Sequence, residues 1–224
     1  MAQDASAWSV AELFGLPPGP RTGRDRLIAA GIELFYQRGF QGVGLDQVIA
    51  HAGVTKTTFY KHFESKDELA IACVQSRDRW ESRSWERAAK TIGGDDPASR
   101  LLAYFHVMDA WFNDPGFHGC MFINAGAEFP DRRHPVHRAA ADHKRATRDH
   151  FRKLAALAGA QDPDAFADEF TILVEGTLIL RHVHDRDDAA RAALPAARRL
   201  VDAMTTGAKP PRRAAARSRA VRSG

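Results

Sequence analysis

The chain has 224 residues, with 32 Lys and Arg against 28 Asp and Glu, a formal net charge of +4 and two cysteines. This length suits a small domain followed by a larger one with its own core, and two cysteines give no disulfide framework. No apolar run approaches the ~20 residues of a membrane span and the N-terminus lacks the pattern of a secretion signal, so a cytoplasmic protein with no membrane partner is expected.

In chain order, residues 1–20 carry Trp8, Val10, Leu13, Phe14 and Leu16 ahead of Pro17-Pro18-Gly19-Pro20. This reads as a short amphipathic turn on a stiff link, a flexible or loosely docked arm. Ile28, Ile32 and Phe35 then form the apolar stripe of a helix that stops at Gly39. Leu45, Val48, Ile49 and Ala52 mark a second, short helix ended by Gly53, which supplies a left-handed turn. Thr55 is positioned to cap a third helix whose Phe59 and Phe63, four apart, point inward while Lys56, Thr57, Tyr60 and Lys61 point outward. Two short helices about a tight turn, with cations on the free face of the second, form a helix-turn-helix ready for a DNA major groove. Ser65-Lys66-Asp67-Glu68 follows as a capping box. The cation in its first turn opposes the helix dipole, so Lys66 is assigned a DNA phosphate as partner.

From Arg24 to Ala72, through Arg38-Gly39-Phe40, Ala52-Gly53-Val54, Thr55-Lys56, Phe59-Tyr60, His62-Phe63 and Ser65-Lys66-Asp67-Glu68-Leu69, the chain resembles the TetR family of transcriptional regulators. The resemblance implies a three-helix DNA-binding domain, a helical ligand-binding and dimerisation domain behind it, and repression relieved by a small molecule. One departure is Gly44, where the family usually has Ser or Thr; glycine has no hydroxyl to offer a phosphate. The expected DNA-binding residues are Thr55, Lys56, Thr57, Tyr60, Lys61, His62 and Lys66. Lys56 and Thr57 are assigned to bases and the rest to phosphates.

Beyond Leu69 no segment alternates as a strand would, and helix follows helix. Gly93-Gly94-Asp95-Asp96-Pro97 separates a long fourth helix from a fifth bearing Leu101, Phe105, Met108 and Phe112. A sixth, apolar segment spans Cys120 to Phe129. A seventh runs from His134-Pro135 to about Leu157 and is rich in Arg, Lys and His, hence partly solvated. An eighth starts at Asp162-Pro163 and a last one, near Asp188 to Met204, contains Pro195. The whole is an all-α chain of about nine helices: an arm (1–20), a DNA-binding domain (21–68), a ligand-binding and dimerisation domain (69–207) and a disordered basic tail (208–224). The tail's six basic residues exceed the net charge, so the rest of the chain sums to −2 and global charge says little about DNA.

Two further sites are expected in the second domain. Phe170, Leu173, Thr177 and Leu180 make one stripe on the eighth helix, assigned to a homodimer seam because TetR-like proteins pair through their last two long helices. Phe105, Trp111, Phe112 and Met121, with Asn124 and Glu128 as polar groups needing partners, are assigned to an apolar effector pocket; Trp80, Trp85, Phe122, His106, Glu175 and His182 belong to the same mixture of residues. The rival readings are a sequence-tolerant DNA binder held by the basic tail and a helical metal-dependent enzyme. His134-x-x-His137 has metal-compatible spacing, but no Cys or acidic pair completes a ligand set, and no nucleophile elbow or phosphate loop occurs. No catalysis, cofactor or metal is therefore assigned, and the partners expected are operator DNA, a small effector and a second copy of the chain.

Overall fold

The structure is a computed structural model that describes residues 9–205 except Leu16 and Pro18. The basic tail lies outside the described residues. Ten helices make up the described part: α1 (Val10–Phe14), α2 (Gly23–Arg38), α3 (Leu45–His51), α4 (Lys56–His62), α5 (Lys66–Gly93), α6 (Pro97–Phe112), α7 (Met121–Glu128), α8 (Pro135–Leu157), α9 (Pro163–His184) and α10 (Ala189–Thr205). The additional helix relative to the sequence reading is α1, which lies in the short amphipathic turn expected of the arm and is docked on α5. Ser9 caps it by accepting from Glu12 N–H, and Leu13 and Phe14 are buried. Phe14 packs against Trp80 and Trp85 of α5 at 5.9 and 5.2 Å between ring centroids, and the buried Ser84 hydroxyl donates to the Phe14 carbonyl at 3.0 Å.

Helices α2 to α4 form the first domain, closed by the start of α5. Phe35, Phe40, Phe59, Phe63, Leu27 and Leu69 fill its core almost without exposure. Large aromatics let three short helices bury enough apolar surface to hold together. Gly31 permits the close approach of α2 to α5, since a Cβ there would lie 2.6 Å from Cys73 Sγ. Gly53, at φ +61°, makes the left-handed turn between α3 and α4 that a side chain would strain.

In the second domain α5 packs on α6 and α8, α9 on α8 and α10, and α10 on α6, with α7 lying on α8. The predicted boundaries recur: Gly94 caps α5, Asp96 caps α6 with proline in its first turn, and Asp162 caps α9 in the same way. α10 runs through Pro195, which is exposed. The Ser65 hydroxyl accepts from Glu68 N–H as expected, but the Glu68 carboxylate reaches one residue further back, to Glu64 N–H at 2.6 Å, so the box closes on the preceding residue.

The inner and outer faces of α9 differ from the expected assignment. Phe170 is fully buried within the subunit, against Phe105, Phe151 and Phe166. Thr177 is buried too, its hydroxyl donating to the Leu173 carbonyl at 2.7 Å. Neither side chain is available to a seam, while Leu173 and Leu180 are half-buried at its border. The outward stripe is Ile172, Gly176, Ile179 and Val183, with the three large residues 72%, 39% and 66% exposed.

Candidate DNA interface and effector cavity

The candidate DNA-facing surface is the free face of α4. Thr55 accepts from Thr58 N–H at 3.1 Å and its hydroxyl also pairs with that of Thr58 at 3.0 Å, so its oxygen is engaged in capping rather than free for a phosphate. With Phe59 and Phe63 turned inward, Lys56, Thr57, Tyr60 and Lys61 lie together on the exposed face, and His62 and Lys66 are half-buried at its end. Lys56 Nζ rests 2.9 Å from Asp46 on α3, and this bond raises the Lys56 pKa. Gly44 opens α3 with no side-chain cap; its N–H donates instead to Gln47 Oε1 at 2.8 Å. The sequence reading did not include the start of α2, which abuts this face: a Cβ at Gly23 would meet Thr58 at 2.9 Å, and the Arg24 guanidinium lies 5.1 Å over the Phe63 ring.

A cavity of about 280 Å³ opens between α5, α6, α8 and α9. Trp85, Tyr104, Met108, Trp111, Phe151 and Leu178 form its apolar wall. Trp85 stacks nearly parallel on Tyr104 at 5.5 Å and meets Trp111 edge-on at 5.8 Å. Charged groups enter the wall as pairs. Arg77 donates to Glu81 at 2.7 Å; burial opposes the Glu81 charge, but Arg77 and His143 outweigh it and hold the carboxyl below its usual range. Lys144 on α8 donates to both oxygens of Glu175 on α9 at 2.8 and 3.0 Å. Burial works against its ammonium, yet the neighbouring Cys120 and Glu175 keep its pKa above the usual value. His143 stacks on Phe122 at 3.5 Å with its Nδ1 2.6 Å from Asp78, and burial lowers the pKa of His150, whose Nε2 has no hydrogen-bond partner among the described residues.

Of the six residues assigned to the effector, the structure brings only Trp111 to this cavity. Phe105 packs edge-on against Phe170, and Phe112 lies among Trp111 and Phe117 with its carbonyl accepting from Arg181. Met121 is buried at the start of α7. Asn124 faces a separate polar cleft with Tyr36, His118 and His182, donating to the His118 carbonyl at 3.4 Å. Glu128 is committed elsewhere: its two oxygens accept from the backbone N–H groups of Phe40 and Gln41 at 3.0 and 2.7 Å, tying α7 to the loop between α2 and α3. α8 is partly solvated, and its inner face carries the buried His143 together with Lys144 and Phe151, which line the cavity. The available signal was Glu175, an acid inside an apolar helix that needs a base on the neighbouring one.

A second link joins the domains beside Glu128. Tyr36 of α2 donates its hydroxyl proton to the Gly119 carbonyl at 3.0 Å and accepts from His118 N–H at 3.1 Å, while the Arg77 guanidinium lies 5.3 Å over its ring. The histidines with metal-compatible spacing are used separately: His134 Nε2 lies 3.3 Å from Asp67, and His137 Nδ1 donates to the Phe129 carbonyl at 2.7 Å.

The model of the bacterial regulatory proteins of the tetR family matches residues 27–73, and that of the tetracyclin repressor-like C-terminal domain matches residues 97–197. A solved TetR-family transcriptional regulator from Streptomyces coelicolor is 31% identical, superposes with a TM-score of 0.74 and aligns over 82% of this chain and 96% of its own. The chain belongs to the TetR family. Transcriptional regulator AcuR from Cereibacter sphaeroides is 29% identical over 192 residues, 77% of this chain and 87% of that protein. The HTH-type transcriptional repressor NemR from Escherichia coli is 32% identical over 111 residues, 48% of this chain and 54% of that protein. As a TetR-family member the protein is a DNA-binding transcriptional regulator with an all-helical fold. Among the described residues, no helix is long and apolar enough to cross a membrane.

Proposed function

We propose that this regulator is a dimeric, cytoplasmic repressor that leaves a palindromic operator when a small, largely apolar effector enters the cavity between α5, α6, α8 and α9. The observation carrying this reading is that α5 belongs to both sites: it starts beside the recognition helix α4 and lines the cavity with Glu81 and Trp85. An effector that moves α5 changes the position of α4 in each subunit. Such a ligand must bind the DNA-incompetent arrangement more tightly, since equal affinity for both shifts nothing.

Each subunit presents Lys56 and Thr57 to base edges, with Tyr60, Lys61, His62 and Lys66 setting register on phosphates. The second copy docks through the exposed stripe of α9 at Ile172, Gly176, Ile179 and Val183, with α10 alongside, as a four-helix bundle between subunits. The repressor character of one relative supports the direction of control. Selecting bound duplexes from a random library tests the reading. The expected product is a palindrome with half-sites ~34–36 Å apart. An unordered mixture of sequences, losing affinity alike with salt, would instead identify a sequence-tolerant DNA binder.

A further inference from the structure

Trp85, Tyr104, Trp111 and Phe151 give the cavity its aromatic surface, and most of the charges set beside them are paired. Glu175 is held by Lys144, Glu81 by Arg77 at 2.7 Å, and Glu86 lies 3.6 Å from Arg100, while His143 is 2.6 Å from Asp78. Arg83 and Lys153 are exposed at the rim, the latter paired with Asp149 at 2.8 Å. Lys144 and Glu175 differ from the other pairs in position. Both members line the cavity, they come from two facing helices, and their side chains are only 28% and 31% exposed.

A carboxylate ligand at Lys144 competes with Glu175 for one ammonium and sets a second negative charge beside that carboxylate. An ammonium ligand at Glu175 sets a second positive charge beside Lys144 in the same way. In either case one charge in a partly desolvated setting lacks a full counter-charge, which is costly. An uncharged molecule leaves the pair intact and gains the full contact with Trp85, Tyr104 and Trp111. The volume of about 280 Å³ lies near the lower end for ligand pockets, which limits the occupant to about one or two rings.

We propose that the Lys144–Glu175 pair makes this cavity selective for an uncharged, mainly apolar aromatic ligand of one or two rings and discriminates against its anionic and cationic analogues. The proposal rests on the reading of the cavity as the effector site. Equilibrium dialysis of the full chain at neutral pH against three probes of equal shape tests it: 2-naphthol, 2-naphthoate and 2-naphthylmethylammonium. The neutral probe is expected to bind at least about tenfold more tightly than either ion. Glu175→Gln should raise affinity for 2-naphthoate by about tenfold or more, and Lys144→Met should do so for 2-naphthylmethylammonium. The double variant, neutral again, should return to the parent order of preference.

An ion that binds the parent protein as tightly as 2-naphthol overturns the proposal, whether or not the single variants fold. So do single variants that fold by circular dichroism and keep the parent order. Val174→Trp, which fills the cavity, should abolish binding of the neutral probe. If it does not, or if no probe binds the parent at all, the reading of the cavity itself falls and the proposal with it.

Discussion

Under the proposed reading Lys56 and Lys66 both face DNA, and their settings give them different tasks. Lys56 is exposed on the free face of α4 and held only by the exposed Asp46, a bond of the kind that contributes little to stability and is readily exchanged for a guanine edge. Lys66 sits half-buried at the start of α5, outside the recognition helix, and is proposed to contact a phosphate. Lys56→Ala should relax preference at one operator position by about 1–3 kcal/mol, whereas Lys66→Ala should weaken binding on every sequence and lower the salt slope by roughly one. Anisotropy titrations on operator and scrambled duplexes at several salt concentrations separate the two; equal losses on both duplexes for Lys56→Ala remove it from the specificity set. His150 gives a second prediction. Burial depresses its pKa below the ordinary 6.5, so on acidification the unfolded chain takes up this proton first. Its contribution to stability is complete above about pH 6.5 and is lost as the pH falls through the folded-state value. In His150→Phe the urea midpoint should fall less between neutral pH and about pH 5 than in the parent. An identical fall in both proteins would show that His150 does not supply this acid sensitivity.

At the scale of the element, α9 carries two stripes with helical spacing, and they have opposite destinations. Residues 170, 173, 177 and 180 recur at intervals that mark one face; residues 172, 176, 179 and 183 recur equally well, one step around the helix. Periodicity alone identifies faces and not what each one covers, which is why the sequence reading chose the inner stripe. Besides Phe166 of its own helix, Phe170 is packed by Phe105 of α6 and Phe151 of α8, contributions that no pattern local to α9 contains. Ile179→Glu should therefore yield folded monomers with little operator affinity, because one half-site supplies too little binding energy. Phe170→Glu should instead destabilise the subunit itself, by several kcal/mol, through an unpaired buried charge. Sedimentation and thermal melts read both outcomes, and an Ile179→Glu protein that stays dimeric places the interface elsewhere. The helix ends were legible for the opposite reason. Thr55, Ser65, Asp96, Asp162, Gly53 and Gly94 act within one turn of their own position, so their roles survive whatever packs around them.

Across the whole molecule, the two domains are joined by more than the continuity of α5. Glu128 holds the backbone of Phe40 and Gln41, Tyr36 bridges His118 and Gly119, and α1 rests on α5 beside the cavity. The sequence singled out Glu128 correctly as a polar group needing a partner in an apolar segment. Its partners are backbone donors more than 80 residues away, which no spacing rule reaches. Glu128→Gln keeps one acceptor and removes the charge, so it should loosen the α2–α3 loop and lower operator affinity about three- to tenfold while leaving helix content unchanged. Unchanged affinity would mean that this clamp does not position the DNA-binding domain. The aromatic cluster has a practical consequence of its own. Three of the chain's four tryptophans, Trp80, Trp85 and Trp111, lie in one chain of ring contacts with Phe14, and two of them face the cavity. Under the proposed reading, a ligand entering the cavity should change the protein's intrinsic ultraviolet emission, so its arrival can be followed in unlabelled material.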